Sequence, residues 1–146
     1  MEAGLARAIG VSNFKPAHLR KLFDAGLCPH VNQIQLDPTR RRDDIVAIHR
    51  ARGVVTETWS PIDRGGKLLS DNAIDAIARR IGRSPSQVAL RWHVQSGFVP
   101  APKSADPKRQ AENLDVFSFA LNAADMAALD ALAQRPLALD ADSFGH

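Results

Sequence analysis

The segment from Lys103 to Asn113, which contains Ser104, Asp106, Pro107, Lys108, Arg109 and Glu112, has the residue types to hold an anion at the start of a helix. Asp106 is a good N-cap and Pro107 suits the first helical turn. Backbone N–H groups between Ser104 and Arg109 are therefore expected to point outward where the macrodipole favours negative charge. Lys103, Lys108 and Arg109 add three cations at that end. Cations near an N-terminus oppose the dipole, so their presence implies an anion between them, and a phosphate is the expected one. The plainer alternative is a solvent-exposed basic helix start. Elsewhere, Asp37 and Glu57 lie at or near strand ends, where a carboxylate pair for acid–base work is conceivable. The five histidines show no metal-ligand spacing, and His49 and His93 read as packing or surface residues. A Gly-x-Ser-x-Gly elbow and a P-loop are both missing, so hydrolase and kinase chemistry lack a starting residue.

The elements that must position these groups are short apolar runs alternating with longer helical patterns, the signature of βα units and a parallel sheet. Strands are expected at Ala8–Val11, Val31–Gln35, Val54–Thr58 and Phe98–Ala101. Pro16 to Ala25 carries Leu19, Leu22 and Phe23 at helical spacing and stops at Gly26. Asp43 to Arg52 carries Ile45, Ile48 and His49 on one face and ends at Gly53. Asn72 to Ile81 is a third helix. Ser84-Pro85-Ser86-Gln87 has capping-box spacing and opens a fourth, which runs to about Ser96 with Trp92 as a core residue. Helices at Pro107–Leu114 and Ala123–Ala133 follow, and the tail from Arg135 reads as irregular. Four βα units and a closing helix amount to half of an eight-unit barrel.

At this point four ordered segments become recognisable: Ile9-Gly10-Val11-Ser12-Asn13-Phe14, Asn32-Gln33-Ile34-Gln35, Trp59-Ser60-Pro61-Ile62, and the Lys103–Asn113 run itself. Together they resemble the C-terminal half of the aldo-keto reductases, a family of α/β TIM barrels, and the resemblance covers nearly all of the chain. It implies NADPH as cofactor, with Lys103 and Arg109 on the adenosine 2′-phosphate, Ser104 donating a hydroxyl, and Glu112 and Asn113 on adenine edges. Two cations favour NADPH over NADH because the extra phosphate dianion offsets burying them. Ser12, Asn13 and Gln33 are implied to hold the nicotinamide carboxamide, although Ser12 and Asn13 would also serve as plain helix caps. Trp59 is implied to stack on the nicotinamide. Ser60, Pro61 and Ile62, with Arg64 to Lys67 beyond, form a loop that approaches the pyrophosphate and closes over the cofactor.

The resemblance also marks what is missing. The family's catalytic tyrosine, aspartate, lysine and histidine belong to the first half of the barrel, and this chain contains no tyrosine. No catalytic residue is carried over, and no metal is expected. The whole enzyme would reduce an aldehyde or ketone; the rival reading is a non-catalytic NADP(H)-binding half barrel that homodimerises. The 146 residues are read as one partial domain. A sheet covered on one face leaves its other face and both edges open, so a partner is expected, either the missing N-terminal half or a second copy. We favour truncation at Met1, with Glu2 to Arg7 as the last turn of a preceding helix. The net charge of +3 and the Arg40-Arg41-Arg42 cluster are read as a solvated loop, since Asp43-Asp44 follows and no nucleic-acid motif accompanies it. Cys28 is the only cysteine, no apolar run reaches bilayer length, and no leader is evident. A cytoplasmic protein bound to neither membrane nor nucleic acid is expected.

Overall fold

The computed structural model describes residues 4–137 and 140–143. Its centre is a four-stranded sheet in the order β1 (Gly10–Ser12), β2 (Val31–Gln35), β3 (Val55–Trp59) and β4 (Val99–Ala101), with every neighbouring pair parallel. The connections carry α1 (Pro16–Asp24), α2 (Asp43–Arg52), and the pair α3 (Asn72–Ile81) and α4 (Pro85–Gln95). After β4 come α5 (Pro107–Leu114) and α6 (Ala123–Asp130). Two 3-10 turns, Asp63–Gly65 and Lys67–Ser70, lie between β3 and α3.

Local chemistry sets these boundaries. The Ser84 hydroxyl accepts from the Gln87 N–H at 3.2 Å while the Gln87 side chain accepts from the Ser84 N–H at 3.0 Å, so the expected capping box opens α4. Asn122 and Asp125 do the same for α6. Strand β1 starts two residues later than the sequence suggests because Gly10 is level with Val31, the first residue of β2, and Ala8 and Ile9 have no strand beside them. Helix α6 stops at Asp130, three residues short of expectation, because the chain turns away to pair with the loop after β2: the Arg135 N–H donates to the Thr39 carbonyl at 2.7 Å. Gly4 to Arg7 form bends, not the helical turn expected there, and Met1 to Ala3 lie outside the described residues.

Alternation along the strands gives the sheet two unlike faces. Asn32, Ile34, Thr56 and Thr58 point toward the helices and are buried, among a core that includes Leu19, Ile45, Ile74, Val88, Trp92 and Leu129. His49 is fully buried between strands and helix. Its Nε2 lies 3.0 Å from the Asn32 amide nitrogen and its Nδ1 lies 2.8 Å from the Thr56 hydroxyl, so the proton sits on Nδ1. On the other face, register stacks Gly10, Val31 and Val55 in one row, Ser12, Gln33, Glu57 and Val99 in the next, and Gln35, Trp59 and Ala101 in a third. This face is not covered by helices, and Val55 and Val99 are 44% and 51% exposed.

The arginine cluster departs from the solvated loop expected of it. Arg40 is only 7% exposed; its Nη1 donates to Asp37 at 2.6 Å and to Asp63 at 2.9 Å, and its Nε donates to the Pro136 carbonyl at 3.0 Å. Arg41 is paired with Asp43 at 2.7 Å. The carboxylate pair considered for acid–base work is not formed. Asp37 is fully buried and bound to Thr39 and Arg40, whereas Glu57 is on the open face bound to Gln33.

Candidate functional site

Parallel strands deliver their C-terminal ends to one rim, and the loops leaving β3 and β4 there enclose a cleft of about 810 Å³. The loop after β3 contributes Trp59, Ser60, Pro61 and Ile62. The segment after β4 contributes Lys103, Ser104, Arg109, Glu112 and Asn113. Nine of the twelve expected site residues therefore share one cavity. The other three lie outside its lining, Ser12 and Asn13 at the end of β1 and Gln33 in the middle of β2. They are linked to it through the indole N–H of Trp59, which donates to Oδ1 of Asn13 at 2.8 Å. The Asn13 N–H donates to the Gln33 carbonyl at 2.8 Å and the Asn13 amide nitrogen lies 3.3 Å from the Ser12 hydroxyl.

Two anchors shape the loop after β3. The fully buried His93 donates from Nε2 to the Pro61 carbonyl at 3.0 Å, with Nδ1 3.4 Å from the Thr58 hydroxyl, which fixes the tautomer. Burial pushes its pKa down to about 4, against the smaller opposing effects of the Pro61 carbonyl and Asp37, so the ring is neutral at pH 7. Asp63 forms the second anchor, accepting from Arg40 and, at 2.7 Å, from Arg135 of the tail. Burial alone would raise the Asp63 carboxyl, but the two guanidinium groups outweigh it and hold it below its ordinary value. Ser60, Asp63 and Arg64 all adopt left-handed backbone, and Gly66 closes the turn so tightly that a Cβ there would stand 2.7 Å from Oδ2 of Asp63. Arg64 reaches back to the Ser60 hydroxyl at 3.3 Å.

The start of α5 differs from expectation in one respect. The N–H groups of Lys108 and Arg109 donate to the Asp106 carboxylate at 2.8 and 3.4 Å, and those bonds depress the Asp106 pKa. The Asp106 N–H in turn goes to the Ser104 hydroxyl at 3.1 Å. The helix start is thus satisfied by its own cap, and an anion here is left to the side chains. Lys103 makes no ion pair among the described residues. Arg109 is exposed, with a single 3.4 Å contact to Asp106, so both cations are available on the cleft wall.

Leu69 and Ser86 also line the cleft, and the sequence carries no signal for them as site residues. Arg64 and Gly65 line it too, as the Gly-rich loop suggested. Cys28 is exposed. Among the described residues no group of three or more His, Cys, Asp or Glu is placed to hold a metal ion, and no helix is long and apolar enough to cross a membrane.

Comparison with known proteins converges on one set of relatives. The family model described as "Aldo/keto reductase family" matches residues 1–134. The 2,5-diketo-D-gluconic acid reductase B of a Corynebacterium strain is 47% identical over 146 residues, covering 99% of this chain and 52% of that protein. Methylglyoxal reductase DkgA of Escherichia coli is 40% identical over 145 residues, covering 97% and 53%. Among solved structures, a variant of Gox0644 in complex with NADPH superposes with a TM-score of 0.85 at 45% identity, covering 88% of this chain and 48% of that one. The chain spans about half the length of the curated relatives it matches.

Proposed function

The chain belongs to the aldo/keto reductase family, as half of its TIM barrel, and from that premise we propose that it carries the NADPH-binding part of a reductase acting on aldehydes or ketones. The observation that carries this reading is the convergence of Lys103, Arg109, Trp59 and the Ser60–Ile62 loop on one cleft, roomy enough for a large part of a dinucleotide. The donor set fits the cofactor: two available cations for a phosphate dianion, an indole for a flat ring, and side-chain amides beyond it for a carboxamide. NADPH, when bound, supplies a hydride to the carbonyl carbon.

The chain's own residues bind and orient. Lys103 and Arg109 meet the 2′-phosphate, which the planar guanidinium can engage with two donors, and Ser104 adds a hydroxyl. Glu112 and Asn113 face the adenine. Ser60 to Ile62 run beside the pyrophosphate, held by His93 and Asp63, while Trp59, Ser12, Asn13 and Gln33 fix the nicotinamide. No tyrosine exists in this chain to protonate the carbonyl oxygen, so that proton comes from a second polypeptide segment closing the open face and edges of the sheet, which we take to be an N-terminal half. The missing tyrosine also favours a second reading, in which a homodimer binds NADP(H) without turnover.

Fluorescence titration of the whole chain with NADPH and NADH tests the cleft. Saturable NADPH binding, weaker NADH binding, and a loss of about tenfold or more for NADPH in Arg109→Ala are expected. Equal affinity for both cofactors, unaltered in that variant, would refute the 2′-phosphate assignment.

A further inference from the structure

Gln33 and Glu57 are register partners on the open face of the sheet, and the Gln33 amide nitrogen lies 2.6 Å from Oε1 of Glu57. One row along the same face is Trp59, whose Nε1 meets Oδ1 of Asn13. An ionised carboxylate only accepts hydrogen bonds and an indole N–H only donates. Each therefore dictates which way round the neighbouring amide stands. Glu57 must face the N–H2 of Gln33, which turns the Gln33 carbonyl oxygen away as an acceptor. Trp59 must face the carbonyl oxygen of Asn13, which turns the Asn13 N–H2 away as a donor.

We infer that Glu57 is a positioning residue that locks the Gln33 amide with its oxygen outward, so that Gln33 and Asn13, held in opposite senses, accept from the N–H2 and donate to the oxygen of the nicotinamide carboxamide. The inference rests on the cofactor reading of the cleft. A primary amide offers a donor end and an acceptor end, and two protein amides fixed in opposite polarity match it in one orientation only. The carboxamide turned the other way sets donor against donor and acceptor against acceptor, which leaves polar groups unpaired. A Gln33 free to flip would accommodate either sense of the carboxamide, so the carboxylate beneath it adds selectivity and makes no contact with the cofactor. Glu57 occupies a row otherwise formed by Ser12, Gln33 and Val99, and its side chain is hydrogen-bonded to Gln33.

The test compares the unaltered chain with Glu57→Ala and Glu57→Gln against three ligands. These are NADPH, its reduced 3-acetylpyridine analogue, in which a methyl replaces the carboxamide N–H2, and 2′,5′-ADP, which lacks the nicotinamide. The unaltered chain is expected to prefer NADPH over the analogue. Glu57→Ala is expected to lower NADPH affinity about fivefold and erase that preference while 2′,5′-ADP binds as before. Glu57→Gln, whose amide can donate as well as accept and so no longer dictates which way the Gln33 amide stands, is expected to weaken the preference as well. Without any ligand, the Gln33 side-chain N–H resonance should move upfield in Glu57→Ala and, by a smaller step, in Glu57→Gln, whose amide carries no charge. A preference that survives Glu57→Ala, or a loss shared by all three ligands, overturns the inference while leaving the cofactor reading in place. A chain that binds none of the three overturns both.

Discussion

Trp59 and Asn13 are joined over the end of β2, with the indole Nε1 donating to the Asn13 side-chain oxygen at 2.8 Å and Asn13 held at φ 57. Asparagine tolerates this left-handed backbone better than most residues, and here the side chain also has a partner. The two roles separate by substitution. Asn13→Gly retains the backbone and removes the contact, whereas Asn13→Ala loses both. Trp59 emission is expected to shift in both variants. Stability should fall by about 1 kcal/mol more in the alanine variant than in the glycine one, read by urea unfolding. Trp92 is buried with its Nε1 on Asp130, so its emission serves as an internal constant.

Gly66 has an ordinary φ of −80, and what demands glycine is space, because a Cβ would stand 2.7 Å from Oδ2 and 2.9 Å from the carbonyl oxygen of Asp63. Gly66→Ala must push Asp63 off Arg40 and Arg135. We expect a stability loss of about 1–3 kcal/mol and faster amide exchange from Ile62 to Leu69. Exchange rates matching the unaltered chain would show that the clamp does not order the loop.

Arg40→Met removes the cation beside Asp37, which is fully buried and would keep its Thr39 partners alone among the described residues. Breaking a buried pair from one side leaves an uncompensated charge, and a loss of about 3–5 kcal/mol is expected in chemical denaturation. The double variant Arg40→Met with Asp37→Asn should recover part of it.

Burial holds the imidazoles of both His49 and His93 down to about 4, helped at His49 by Arg42. Between pH 6.5 and 4 the unfolded chain takes up protons that the folded chain refuses, so stability falls as pH falls across that window, on the order of 3 kcal/mol for each ring. Below it, the depressed Asp63 carboxyl adds a further loss as pH drops through its native value, its contribution being intact above its ordinary pKa of 3.8. Urea unfolding from pH 7 to 4 should give a shallower slope for His93→Gln than for the unaltered chain. Identical slopes would mean that His93 is not buried as a neutral ring.

The alternation of apolar runs and helical patterns made the βα order legible, and β2, α2, α3 and α5 lie where periodicity and capping residues put them. Their signals are local: Gly53 ends α2 in a left-handed cap, and Asp106 opens α5. The site was legible where its residues form contiguous motifs, as in Trp59 to Ile62 and Lys103 to Asn113. Contacts across the chain were not. Nothing in the run Arg40-Arg41-Arg42 says that the first of three identical side chains turns inward to Asp37 and Asp63, because that choice depends on a loop 23 residues away. The same holds for Leu69 and Ser86, which line the cleft only because the β3–α3 loop and α4 pack beside it. The Asp106 carboxylate carried both possibilities, and the cap prevailed over the anion because its partners lie two and three residues away.

The loop beside the cleft is fastened by the end of the chain. Arg135 reaches back 72 residues to Asp63, the Pro136 carbonyl is taken by Arg40 across 96, and Asp140 and Asp142 hold Lys15 near the start of α1. Each βα unit draws on contacts available as it leaves the ribosome, whereas these ties wait for the last dozen residues to be made. Translation therefore finishes the sheet well before it finishes the cleft, and a nascent chain halted ahead of Arg135 carries strands in order around a loop with one of its guanidinium anchors still to come.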